Sequence, residues 1–214
     1  MRALILLCVL LMALTACTTT QIDEERSQSA SVAAHEVIAI LGRRHNANYE
    51  TEPDFISCIG RGVSKTGVNV LSELELMNAL YPWFEPRTAP LKLRRLEKLM
   101  QIPEFSAKIQ ELDLAYIVWV DGSTETVDSA GSVSCAVGPG GAGCIGFGTW
   151  QDDSTYEATV WDIRDMKTIA TVSAEAEGTS YMPAVIVPIP IIARVQAAAC
   201  DGLSTQLQGL FANP

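Results

Sequence analysis

The chain has 214 residues, 48% of them apolar and 19% charged, with a formal net charge of −10. That apolar share excludes a disordered chain, and the length suits one domain of ordinary size or at most two small ones. Fifteen Lys+Arg against 25 Asp+Glu leave no basic surplus for phosphates, which argues against nucleic acid as a partner, and two histidines all but exclude a multi-histidine metal site.

At the amino end, Arg2 precedes an apolar run from Ala3 to Leu14. The run is shorter than the ~20 residues a helix needs to cross hydrocarbon, so it reads as a secretory leader. Leu14-Thr-Ala-Cys17 resembles the lipobox of bacterial lipoproteins, which implies that Cys17 takes a diacylglycerol, that residues 1–16 are cut away and that the new amine is acylated. Thr18, where lipoproteins kept in the inner membrane usually carry Asp, implies by the same resemblance the periplasmic face of the outer membrane. The other readings are an ordinary cleaved leader or an N-terminal anchor. Acylation of this kind exceeds the two signals that stable anchoring needs. Thr18 to Ser31 shows no periodicity and only one large aliphatic residue, Ile22, so residues 17–31 read as a lipidated cysteine and flexible tether, leaving 32–214 as a single periplasmic domain. An acidic body of this kind is repelled by anionic headgroups and is expected to float off the surface, held by lipid alone.

Glu36–Leu41 is a short apolar run closed by Gly42, as in a buried strand. The polar loop after it holds Arg43, Arg44 and His45, read as the only basic cluster in an acidic chain and as either solvated or a contact for a carboxylate-rich partner or a phosphate. Asp54 can cap a helix carrying Phe55, Ile59 and Val63 on one face and stopping near Gly67. Val68–Leu71 is a second strand. Ser72-Glu-Leu-Glu75 is a capping box, and Leu74, Met77 and Leu80 or Tyr81 follow on one helical face. Pro82 and Pro86 break this pattern, so Tyr81, Trp83 and Phe84 either pack back on the core or form a contact surface. Thr88 and Pro90 open a helix with Leu93, Leu96, Leu99 and Met100; Pro103 opens another with Phe105, Ile109 and Leu112. Ala115–Val120 is a strongly apolar central strand.

From Gly122 the texture turns to β-hairpins. Thr124–Val137 and Cys144–Trp150 surround a Gly-rich loop, Gly138-Pro139-Gly-Gly-Ala-Gly143, and 156–162 and 168–174 flank a turn at 163–167. The Gly-rich loop lacks a Gly-Lys-Ser/Thr ending and precedes a strand, so it reads as a hairpin tip that a partner can read, not as a phosphate cradle. Met182–Ala193 holds three prolines among aliphatics. It reads either as a buried extended loop under the last helix or as an exposed apolar edge, with Val187, Ile189 and Ile191, that docks a partner, a second copy or the bilayer surface. Ile192, Val195, Ala199, Leu203, Leu207 and Leu210 recur at helical spacing to the end.

Cys8 leaves with the leader and Cys17 takes lipid, so four cysteines remain in an oxidising compartment, an even number that suggests two disulfides with three possible pairings. The reversing loop between Cys135 and Cys144 favours that pair and leaves Cys58 with Cys200. A metal site is the rival reading, but no Cys-x-x-Cys occurs and neither histidine is near. No catalytic residue, metal or cofactor is read from the chain: there is no Gly-x-Ser-x-Gly or Ser-x-x-Lys, only His35 and His45 can serve as an imidazole base, and Asp152-Asp153 has no third ligand in view.

The element order implies the α/β class: a single mixed sheet with helices packed on it, C-terminal antiparallel hairpins and a terminal helix. The Ser72–Glu75 helix after Val68–Leu71, the Ala115–Val120 strand, the Trp161–Asp165 hairpin and the last helix together resemble a periplasmic α/β domain. That domain is shared by the curli-secretion lipoprotein, penicillin-binding-protein activator lipoproteins and the N-terminal domain of the Tol propeller protein, and the likeness spans about residues 36–212. It implies action by binding other envelope proteins or by self-association. In the curli-secretion lipoprotein related insertions build a membrane pore, but the hairpins here lack the long lipid-facing alternation such a pore needs. The alternative is an envelope enzyme or small-ligand binder whose site is assembled only in three dimensions.

Overall fold

The structure, a computed structural model, describes residues 18–46, 49–85, 88–139 and 141–212, without the side chains of 44–46 and 49. The leader and Cys17 lie outside these residues. The strands are β1 (Thr18–Arg26), β2 (Val37–Gly42), β3 (Arg44–Asn46), β4 (Tyr49–Glu50), β5 (Asn69–Leu71), β6 (Leu114–Gly138), β7 (Gly141–Asp162) and β8 (Lys167–Pro188). The helices are α1 (Pro53–Ser64), α2 (Glu73–Ala79), α3 (Leu93–Met100), α4 (Pro103–Glu111) and α5 (Val195–Phe211). Six strands form one mixed sheet in the order β1-β8-β7-β6-β2-β5, with β2 parallel to both β5 and β6. This is the α/β class expected from the element order, with the strands after β6 about three times the expected length.

Two differences from the sequence reading concern the amino-terminal part. Thr18–Arg26, read as tether, is the edge strand β1 beside β8. Its side chains show no apolar periodicity because an edge strand bonds through its backbone, which any polar sequence supplies. The loop after Gly42 contains the short antiparallel pair β3 and β4.

The chain also divides into two compact units. The core unit comprises Ile22–Ser123, Thr155–Ala174 and Ala199–Pro214; the ribbon unit comprises Thr124–Ser154 and Glu175–Ala198 with the chain up to Gln21. β6, β7 and β8 each contribute to both.

In the core unit, alternate residues of β2 and β6 point to opposite faces of the sheet. Ala39, Leu41, Ile117 and Trp119 join Leu76, Leu80, Leu96, Phe105 and Ile109 from α2, α3 and α4 in one buried cluster. On the other face the Tyr116 and Phe211 rings are 5.4 Å apart and Phe55 of α1 stacks on Tyr156 at 3.5 Å. α1 and α5 meet so closely that a Cβ at Gly62 would fall 2.4 Å from the Ser204 side chain, while Gln208 donates to the Gly62 carbonyl at 2.9 Å. The Cys58–Cys200 disulfide joins the same two helices, as expected.

α2 begins as the sequence implied: Ser72 accepts from the Glu75 amide and Glu75 accepts from the Ser72 amide. α1 does not. Pro53 occupies its first turn after Glu52, and Asp54 falls inside the helix. The fixed φ of proline preorganises that position and its missing N–H is no loss there.

Candidate interaction surface

In the ribbon unit, the β6–β7 hairpin is cross-linked near its start by the Thr124 and Ser154 hydroxyls, 2.7 Å apart, and by Thr126 donating to Asp152 at 2.6 Å. Towards its tip, Cβ atoms at Gly131 and Gly146 would meet the carbonyl oxygens of Phe147 and Ser132 at 2.1 and 2.2 Å. Both glycines also have positive φ, so the strands kink and close there in a way side chains forbid. The Cys135–Cys144 disulfide closes the tip with Cα atoms 4.0 Å apart, the second expected pair.

Beside it, β8 bends back on itself. Tyr181 and Ile191 exchange both backbone hydrogen bonds at 2.8 and 2.7 Å, and Ile189 donates to the Pro183 carbonyl at 3.0 Å. Ile186 turns the corner with φ of 82°, a conformation a β-branched residue rarely adopts. The Phe147 and Tyr181 rings are 6.2 Å apart, and a groove of about 350 Å³ lies between the disulfide-closed tip and Val185–Ile186.

The buried-loop reading of Met182–Ala193 is therefore corrected. Val185, Ile186, Val187, Ile189 and Ile192 are all exposed, Val185 at 79%, and Ile191 is half-buried. The segment pairs with itself, so its side chains are not drawn under α5. Val137, Ile145 and Phe147 of the neighbouring hairpin are exposed as well, as is Pro139. No charged residue occurs from Ser129 to Gln151 or from Gly178 to Ala193, in a chain that is 19% charged. Eight large apolar side chains thus lie exposed on these two uncharged stretches of the ribbon unit.

The aromatic trio in the core unit separates. Tyr81 is exposed, but Phe84 is fully buried in the core cluster and Trp83 is half-buried with its ring edge-on to Phe105 at 5.6 Å. Phe84 is thereby excluded from a contact surface and Trp83 belongs mostly to the core. The turn after α2, closed by the Phe84 amide on the Leu80 carbonyl, swings both inward.

His35 is exposed at a cleft of about 350 Å³ in the core unit that also holds Glu36, Asp113 and Arg164. The side chains of Arg44 and His45 lie outside the described residues; Arg43 reaches Asp121 at 3.5 Å. Asp152 takes the Thr126 hydroxyl and Asp153 the Gln151 amide at 3.2 Å, so each is held by the ribbon itself.

Sequence reasoning missed two features of the core unit. One is a second basic cluster, Lys92, Arg94, Arg95 and Lys98, which lines a hollow of about 500 Å³ at α3. Its signal was the plain run Lys-Leu-Arg-Arg-Leu-Glu-Lys. The other is a clamp around Arg164. Its guanidinium donates to Asp162 and Glu36, each at 2.9 Å, to the Ser31 carbonyl and to the Tyr116 hydroxyl, and it lies 4.8 Å from the Tyr116 ring centre. Burial works to raise the Asp162 carboxyl, but bonds from Arg164 and the Asp165 amide outweigh it and hold the group below its ordinary value. The bond to Asp162 raises Arg164, and burial raises the Tyr116 phenol. Nothing in the sequence marks this cluster, because its members are brought together from four separate segments.

No protein-family model matches the chain, and no curated protein does. Among solved structures it is similar to the PelC dodecamer from Paraburkholderia phytofirmans, with 10% identity, a TM-score of 0.46 and coverage of 92% of this chain and all of that one. A substituted form of the same dodecamer gives 10% identity, a TM-score of 0.47 and coverage of 91% and 100%. Likeness at that distance says nothing of what the present chain binds.

Proposed function

We propose that the chain is a lipoprotein of the bacterial envelope, cut before Cys17, acylated there and held on the periplasmic face of the outer membrane. Its folded part acts as a binding or assembly module, docking through the uncharged end of the ribbon unit. The observation that carries this reading is the grouping of Val137, Ile145, Phe147, Val185, Ile186, Val187, Ile189 and Ile192, exposed on a stretch without a charge. An apolar patch of this kind on a protein surface marks a contact with a protein or a membrane. The resemblance to the envelope-domain group and the two disulfides, which suit an oxidising compartment, support it.

Radiolabelled palmitate is expected to enter the wild type and not Cys17→Ser; equal labelling of the two refutes the anchor. A photoreactive amino acid placed at Ile145 or Val187 is expected to crosslink to a membrane component in cells, while one at exposed Leu74 of the core unit is not. Equal capture at all three positions counts against the docking role.

A further inference from the structure

The occupant of the apolar end follows from where the chain enters the fold. The amide of Ser27 donates to Ile169 at 2.9 Å, and the Thr18 hydroxyl lies 3.4 Å from the Cβ position of Gly178. As β1 is followed back from Ser27 to Thr18, its neighbour on β8 advances by the same number of residues, which is an antiparallel register. One peptide bond separates Thr18 from Cys17, so lipid on Cys17 starts within ~4 Å of the Thr18 backbone. No tether intervenes.

Gly178 is also the residue at which charge stops: Glu177 precedes it, and the next charged residue is Arg194. The anchoring point therefore falls at the boundary between the charged and uncharged parts of the ribbon unit. Ile186 lies roughly 25 Å further along at about 3.3 Å per residue. Tyr181 and Trp150 stand close to the same boundary, three residues after Gly178 and two before Asp152, and both are half-buried. Aromatic residues of that kind favour the level of lipid headgroups.

We infer that the partner of this end is the bilayer that takes the acyl chains, with Val137, Ile145, Phe147, Val185, Ile186 and Val187 in the boundary between headgroups and hydrocarbon. The inference rests on the lipoprotein reading. Lipid attached next to Thr18 holds the uncharged end beside the bilayer at an effective concentration that a diffusing partner does not reach. Acidic groups, which anionic headgroups repel, are missing from Ser129–Gln151 and from Gly178–Ala193. The ribbon lies on the surface and does not cross. β2 flanks β6 only as far as Val120, and among the described residues no other strand covers that edge, so its backbone groups need water or headgroups. The ribbon unit is thus seated on the bilayer, where the sequence implied a domain that floats off it.

The test uses the full lipidated chain in phosphatidylethanolamine–phosphatidylglycerol vesicles, labelled with a membrane-partitioning carbene probe and mapped by mass spectrometry. Peptides covering 133–147 and 182–192 are expected to carry about tenfold more label than those of α1 and α5. The double variant Ile145→Glu with Val187→Glu is expected to lose that label while retaining its acyl groups, both disulfides and its helical signal. Flotation separates the two readings. Cys17→Ser is expected to float weakly with vesicles, and Cys17→Ser carrying both glutamates not at all. Palmitate incorporation without label above background at the tip overturns the seat and leaves the anchor standing. Tip labelling and weak flotation without palmitate incorporation overturn the anchor and leave the bilayer as the partner. A tip shielded from the probe by a second copy, seen as a dimer in detergent sedimentation, also overturns the seat.

Discussion

The same three strands behave differently in the two units. In the core unit β6 begins with seven consecutive buried residues, Leu114–Val120, because helices cover both faces of the sheet there. In the ribbon unit almost all of β6 from Glu125 to Gly138 is exposed, and its residues are mostly small or polar, with isolated valines. A bare ribbon has no core to hold its side chains. Its shape comes from strand hydrogen bonds, glycine kinks and a disulfide. Apolar burial is thus concentrated in the core unit, and the uncharged stretches with most of the exposed large apolar side chains lie in the ribbon unit.

The largest effect that would sharpen this contrast is removal of the Cys58–Cys200 link. In the chain-entropy model it stabilises by roughly 5 kcal/mol, against roughly 3 kcal/mol for the short Cys135–Cys144 loop. Urea melts followed by far-ultraviolet circular dichroism are expected to show a large fall in midpoint for Cys58→Ser with Cys200→Ser. Cys135→Ser with Cys144→Ser should lower the same midpoint by about half as much. A shift from the second pair as large as that from the first would break the segregation.

Phe105→Ala, in the core cluster against Trp83 and Phe84, is expected to cost about 3–5 kcal/mol by opening a cavity.

The clamp gives a pH dependence. Because the Asp162 carboxyl is held below its unfolded value, its ionised form favours the folded state. That contribution is complete above about pH 4, the ordinary aspartate range, and is lost as pH falls through the lower folded value. Asp162→Asn should flatten the acid limb of a stability–pH curve measured between pH 6 and 2; an unchanged limb would remove the clamp from the account.

Ser72→Ala, which deletes the cap of α2, should cost about 1 kcal/mol in the same melts.

The smallest effect is at the tip. Ile186→Gly relieves an unfavourable φ and removes an exposed side chain, so the melting temperature should hold or rise slightly. A loss of more than ~1 kcal/mol there would mean that the ribbon tip carries stability after all.

Particular elements show where sequence reasoning reached. The capping box at Ser72–Glu75, the buried run Ala115–Val120, both disulfides and the hairpins were readable, since each depends on residues close in the chain or on a count of cysteines. Tyr81, Trp83 and Phe84 looked alike in sequence, yet one is exposed and one is fully buried, because a single turn decides which way each points. β1 was missed because edge pairing uses backbone groups that every residue has. The Arg164 clamp was missed because Ser31, Glu36, Tyr116 and Asp162 meet only after the sheet forms.

By itself the amino-acid sequence determined the class of fold and the charge-free stretches and favoured one pairing of the cysteines, since local propensity, apolar period and residue type are properties of short segments. Only the tertiary structure decided that these stretches share one end, that the chain enters the sheet beside Gly178, and which apolar residues face outward. Those outcomes depend on strand register and on competition for burial between segments far apart in the chain, which no short stretch encodes.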